Sequence, residues 1–260
     1  MTPEQLILLM EASAKQYTSM EAKINASTYL QSKDTSEQTI NGVYEIITRW
    51  SHDKEYWKIS RTIYPTTDHP NTFEEVVTYS FTPDQTKQLN EEPGKIPRGL
   101  VRFGGKREVD QSFYTIHLVL WEHCDILWTK PHDQRNMSMK YDRIRNLYEF
   151  KVRTDDSSDS VFIFYLDPTK KFIPVKKDFF ANDMLLKHLE CSQFQRVNDI
   201  WIPFRYSCRD LKQNLIEFYD VEQVSANVLI DEKSFDFDFP ESAIIRDEIA
   251  NIKRKFGTID

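Results

Sequence analysis

Apolar positions divide the chain into one short segment of helical period and a long succession of segments of period two. Near the start, Leu6, Leu9, Met10, Tyr17 and Met20 recur at helical spacing and predict a helix running to about residue 19. Thr2 is placed to cap it, Pro3 to fill its first position and Gln5 to close a capping box. The period then changes. Segments 22–31, 39–50, 55–64 and 72–82 are rich in β-branched and aromatic residues and are separated by polar turns. Ile40, Tyr44, Ile46 and Trp50 fall opposite Glu45 and Arg49. Trp57, Ile59 and Ile63 fall opposite Lys58, Ser60 and Thr62. Phe73, Val77, Tyr79 and Phe81 fall opposite Thr72, Glu74, Thr78 and Ser80. Such alternation predicts an antiparallel sheet with one wet face.

The middle breaks the pattern. Residues 112–128, SFYTIHLVLWEHCDILW, do not alternate, and their length and apolar content predict a buried helical segment. A loop over 92–105 precedes it. Strands resume at 146–154, 160–166, 172–180, 184–197, 200–209 and 212–225, with Asp155 to Ser158, Asp167-Pro168-Thr169 and Asn198-Asp199 as turns. Val161 to Leu166 is apolar on both faces, as in a fully covered strand. Spacing of about ten residues with short turns indicates a meander rather than βαβ units. Ile244 to Phe256 reads as a charged helix. No linker, low-complexity tract or fixed-period repeat interrupts the chain, so a single domain over 1–260 is expected.

Composition narrows the class. At 260 residues, with aromatic residues at 13%, the chain has the length and apolar content of a globular domain rather than a disordered one. Its 34 Lys+Arg stand against 41 Asp+Glu, a net charge of −7 that argues against nucleic acid as a partner. No run of 18 or more apolar residues provides a membrane-crossing helix. The N-terminus has no basic segment, and its apolar run Leu6 to Met10 is too short for a secretory signal. Either the chain is cytoplasmic or a signal has been removed.

Candidate chemistry is sparse. His117, His123, Cys124 and His132 cluster without the spacing of a metal site and read as structural, so neither a metal nor a cofactor is expected. Cys124 beside His123 reads as an inert thiol, because nucleophile and base are assembled in space rather than by adjacency. The minority reading is a hydrolase centred on that pair. Cys191 and Cys208 fall on two strands joined at Asn198-Asp199, diagonal to one another, where a bridge requires a register change. Lys170-Lys171 and Lys176-Lys177 read as a solvated strand face. No GxSxG, Walker A or GxGxxG motif is present, and no catalytic residues are expected.

The aromatic stripes carry the functional question. They either pack an ordinary core or line a sheet face that the few helices leave partly uncovered, forming an apolar cavity for an acyl chain. The candidate cavity residues are Tyr44, Ile46, Trp57, Ile59, Phe73, Val77, Tyr79, Phe81, Leu118 and Trp121.

Three stretches carry a resemblance: the opening TPEQLILLMEASAKQYTSMEAKI, the pair FYLDPTKKFIPVKKDFF and FQRVNDIWIPFRYSC, and the closing VEQVSANVLIDEKSFDFDFPESAIIRDE. Together they resemble the LolA/LolB/LppX-like superfamily of outer-membrane lipoprotein-sorting proteins. Glu241 and Ser242 follow Pro240 where such proteins often carry P-x-G, and 83–145 has no counterpart. The resemblance implies an α+β fold, in which a strongly curved antiparallel sheet, an incomplete barrel, wraps around the N-terminal helix and the central helical segment. It implies a non-enzymatic carrier of a lipid or lipid-modified protein in the cell envelope, periplasmic or exported, with a possible membrane partner. The alternative is an interaction or scaffold module with a packed core and no ligand.

Overall fold

The structure, a computed structural model, describes residues 1–32, 38–51, 54–66, 70–103, 136–153 and 160–249, together with the backbone of 252–255. A helix, α1 (Pro3–Ala14), is followed by β1 (Ser19–Gln31), β2 (Gln38–Ser51), β3 (Lys54–Ile63), β4 (Phe73–Phe81), β5 (Gln85–Glu91), β6 (Arg98–Phe103) and β7 (Met137–Asp142). Then come β8 (Leu147–Arg153), β9 (Ser160–Asp167), β10 (Ile173–Ala181), β11 (Met184–Val197), β12 (Ile200–Asp210), β13 (Leu215–Ala226), β14 (Ile244–Asp247) and β15 (Ile252–Lys255). The described residues are thus mostly β-strands, predominantly antiparallel, with few helices.

Two compact units share the chain. The first comprises Met1–Tyr17, Thr28–Thr39 and Tyr114–Asp220, the second Thr18–Ser27, Ile40–Phe113 and Val221–Asp260. β1 and β13 contribute residues to both.

In the first unit, α1 starts as its sequence dictates. The Thr2 hydroxyl accepts from the Gln5 backbone N–H while the Gln5 side chain accepts from the Thr2 N–H. The helix buries Leu6, Ile7, Met10 and Ser13. It ends at Ala14, about five residues earlier than its periodicity suggests. Tyr17 is instead drawn to β12, where its hydroxyl donates to the Trp201 carbonyl at 2.6 Å. Strands run in the order β13-β12-β11-β10-β9-β8-β7, each antiparallel to the next. The turns are made almost without glycine. Asn182-Asp183 and Asn198-Asp199 hold φ of 50° to 61° and 48° to 65°, the left-handed pairs that match strand twist in two-residue hairpins. β9 is buried along most of its length, as its two apolar faces imply.

The second unit orders its strands β15-β14-β6-β5-β4-β3-β2-β1, with the end of β13 beside β1. Residues 244–247 and 252–255 are strands, not a helix. β14 pairs parallel with β6, and the Ile244 N–H donates to the Pro97 carbonyl. That pairing lets Ile245 pack with Leu89 and Ala243, a burial that outweighs local helical preference. β6 lies inside the stretch read as a loop, while β5 and β7 lie in stretches where no element was read. The sequences QTKQLNE and MSMKYD alternate too weakly to reveal β5 and β7. The expected helical segment 112–128 lies outside the described residues. Among these, no helix is long and apolar enough to cross a membrane.

Candidate ligand-binding face

β2, β3 and β4 pair in a register that gathers the predicted residues into rows. Ile46 lies opposite Ile59, which lies opposite Val77; Thr48 aligns with Trp57 and Tyr79; Tyr44 aligns with Arg61 and Glu75. Phe81 lies opposite Glu55 and Phe73 opposite Ile63, extending the same face. All eight described candidates therefore share one side of three adjacent strands. Period-two alternation made this legible, since a constant register keeps alternate residues on one face.

Their burial differs. Ile46, Trp57 and Ile59 are completely buried, Val77 and Phe81 nearly so, and Tyr44, Phe73 and Tyr79 are half-buried. Burying an aliphatic or aromatic side chain of this size contributes about 1.5–3 kcal/mol. In the middle of the face the Thr48 hydroxyl is wholly buried with no hydrogen-bond partner among the described residues. Leu118 and Trp121 lie outside the described residues.

The face has a polar border on two sides. Beyond β4 it continues through Asn90, Gln88 and Thr86 on β5. At the Tyr44 end, Arg61 donates through Nη2 to Glu75 at 2.9 Å, with the Glu75 side chain only 8% exposed. An open groove of about 620 Å³ lies beside this pair, lined in part by Tyr44, Glu45, Glu74, Glu91 and Pro93. Tyr44 is the only predicted residue in its lining, and the carboxylates make it unlike an acyl-chain site.

The first unit carries a second apolar face that was not singled out from the sequence. Phe150 lies opposite Phe164, then Lys177, Leu189 and Cys208 in successive strands. Beside them Tyr206 stacks on Tyr219 with ring centroids 4.5 Å apart. Lys177, expected on a solvated face, is buried among aromatic groups, 5.9 Å from the Phe164 ring centroid. Of the other three lysines, Lys171 is exposed, while Lys170 and Lys176 are half-buried. On β10, Lys176 and Lys177 fall on opposite faces, and composition does not say which face is inside. A pocket of about 30 Å³ between Phe162, Phe164, Lys177, Phe179 and Leu189 has room for about one water.

Cys191 and Cys208 are not joined by a disulfide. Cys191 lies opposite Tyr206 and Cys208 opposite Leu189, the diagonal placement expected from the turn. On the other side of this sheet the buried Asp178 carboxylate accepts from His188 Nδ1 at 2.6 Å and pairs with Lys176 at 3.2 Å. Burial and the Asp178 charge push the Tyr165 phenol up to about 12. These groups satisfy one another around a buried carboxylate. Among the described residues, no three His, Cys, Asp or Glu side chains are placed to hold a metal ion. His117, His123, Cys124 and His132, and with them the hydrolase reading, lie outside the described residues.

The arrangement defines a class: a long antiparallel sheet with an aromatic-aliphatic face. Neither a family model nor a curated protein sequence matches the chain. Solved structures do. A DUF1329 family protein from Desulfovibrio piger aligns over 90% of this chain and 95% of its own, with 12% identity and a TM-score of 0.53. A protein domain described as outer membrane lipoprotein-sorting, from Vibrio parahaemolyticus, aligns over 90% and 97%, with 10% identity and a TM-score of 0.51. A LolA superfamily protein from Nitrosomonas europaea aligns over 90% and 97% at a TM-score of 0.45. The chain has a divergent LolA-like fold, the architecture its motifs resemble.

Proposed function

We propose that this chain binds a lipid, or the acyl chain of a lipid-modified protein, without covalent chemistry. The observation that carries this reading is the in-register face of Tyr44, Ile46, Trp57, Ile59, Phe73, Val77, Tyr79 and Phe81. In this reading the sheet curves as an incomplete barrel over a single domain, wrapped on α1 and the segment at 112–128. Leu118 and Trp121 complete the lining. The LolA-like fold supports a carrier in the cell envelope, exported and not an enzyme.

The test uses delipidated protein and a fluorescent fatty acid, with mass spectrometry of lipid that co-purifies. Saturable binding is expected, weakened about tenfold or more in Trp57→Ala while the variant stays folded by circular dichroism. Absence of both bound probe and co-purified lipid defeats the reading. The complete burial of Ile46, Trp57 and Ile59 favours a second reading, an interaction module whose core is already filled. It predicts that Trp57→Ala lowers stability alone.

A further inference from the structure

In the first unit, hairpins β7–β8, β9–β10 and β11–β12 alternate so that three turns lie at one end: 143–146, 168–172 and 198–199. Side chains join them into one rim. The Tyr141 ring lies 4.7 Å from that of Tyr148, which lies 5.8 Å from Phe172. Lys170 Nζ lies 5.3 Å from the Phe194 ring and 5.8 Å from Trp201. Lys171 donates to Gln16, just past α1, and to the Asp199 carbonyl.

We propose that this rim docks on an anionic lipid bilayer, a role beyond the binding of a lipid inside the protein. Its most exposed apolar group is Ile144, 97% exposed between the exposed Arg143 and Arg145. A hydrogen-bonded turn presents it: Asp142 Oδ1 accepts from the N–H groups of Ile144 and Arg145, and the Tyr141 hydroxyl donates to Asn146. Behind the isoleucine stand Tyr141, Phe172, Phe194 and Trp201, amphipathic or half-buried rings at the depth of headgroups. Lys15, Arg143, Arg145, Lys170, Lys171 and Arg196 surround them, facing Glu11, Asp142, Asp167 and Asp199. The rim is thus net positive in a chain of net charge −7. Long cationic side chains reach phosphates while their stems cover apolar surface. An aliphatic tip, a layer of rings and an outer ring of cations match the layers of a bilayer surface. One inserted side chain is a weak anchor, so attachment is reversible and relies on charge.

The test is flotation of the full chain with vesicles of phosphatidylethanolamine and phosphatidylglycerol, against vesicles of phosphatidylcholine alone. Binding is expected to the anionic vesicles, and to fall about tenfold as salt rises from about 50 mM to about 500 mM. Arg143→Gln with Arg145→Gln should weaken it by about 25-fold, near fivefold per charge. Ile144→Ser should weaken it severalfold. Leu211→Ser with Lys212→Gln, exposed at the opposite end of the strands, should leave it unchanged. Equal binding to both vesicle types, no binding, or equal loss in the control variant overturns the proposal. Binding of soluble fluorescent fatty acid is unaffected by all these variants, so failure here is distinct from failure of the ligand reading.

Discussion

Thr48 is a polar residue placed among Ile46, Trp57 and Ile59, with its hydroxyl buried and unmatched. Desolvating a hydroxyl without a partner costs about 1–3 kcal/mol. Thr48→Val fills the same space without that cost, and should raise stability by about 1 kcal/mol. Urea denaturation measures it, with an unchanged m-value as the sign that only the folded state has changed. A loss of stability would mean that the hydroxyl is satisfied. At this scale the sequence was partly legible. Alternation placed Tyr44, Ile46, Trp57 and Ile59 on one face because side-chain direction in a strand is fixed by backbone geometry. The same alternation puts Thr48 between Ile46 and Trp50 on that face, but it did not reveal that Thr48 or Lys177 is buried, because such polar residues are read as solvated by default.

Elements were legible where their own residues determine them. The capping box of α1 and the strands beginning at Met184 and Ile200 follow from local chemistry. β14 does not, because it depends on β6, far away in sequence. Gly99 on β6 is where that dependence is tightest. A Cβ built there would lie 2.6 Å from a ring carbon of Phe239 and 3.0 Å from Ile245. Gly99→Ala should therefore displace the 237–245 segment from Leu89 and Val101, costing about 1–3 kcal/mol as overpacking does. Thermal melting measures the cost. Faster hydrogen exchange at Ile244 and Glu248, whose N–H groups donate to Pro97 and Val101, would locate it. An unchanged melting temperature would mean that Phe239 swings aside freely.

For the whole molecule, buried acids set the response to alkali. Burial pushes the Cys191 thiol up to about 12, against the opposing charge of Lys177. Burial likewise raises the Tyr206 and Tyr219 phenols well above their ordinary value. A raised folded pKa means that the neutral form is favoured by folding. The stabilisation is complete below the unfolded thiol value of about 8.5 and is lost as pH rises toward the folded value. Denaturation midpoints should therefore fall from about pH 8.5 upward, and Cys191→Ala should flatten the curve between about 8.5 and 10. Iodoacetamide should label Cys191 only on unfolding. Labelling of Cys191 itself in the native protein at pH 8 would contradict its burial.

The place of β1 in the strand order has a consequence for synthesis. Its neighbours are β2, which follows at once, and β13, bonded to it through Gln31 to Asn214 and Asn227 to Ser19. About 200 residues separate those partners. At roughly 5–20 residues per second, a ribosome delivers β13 some 10–40 s after β1. For that interval the nascent chain carries a completed strand with a bare edge, the kind of template on which chains pair wrongly with one another. The long wait leaves that edge exposed, so a holding chaperone that covers it during synthesis is expected to raise the recovery of folded protein.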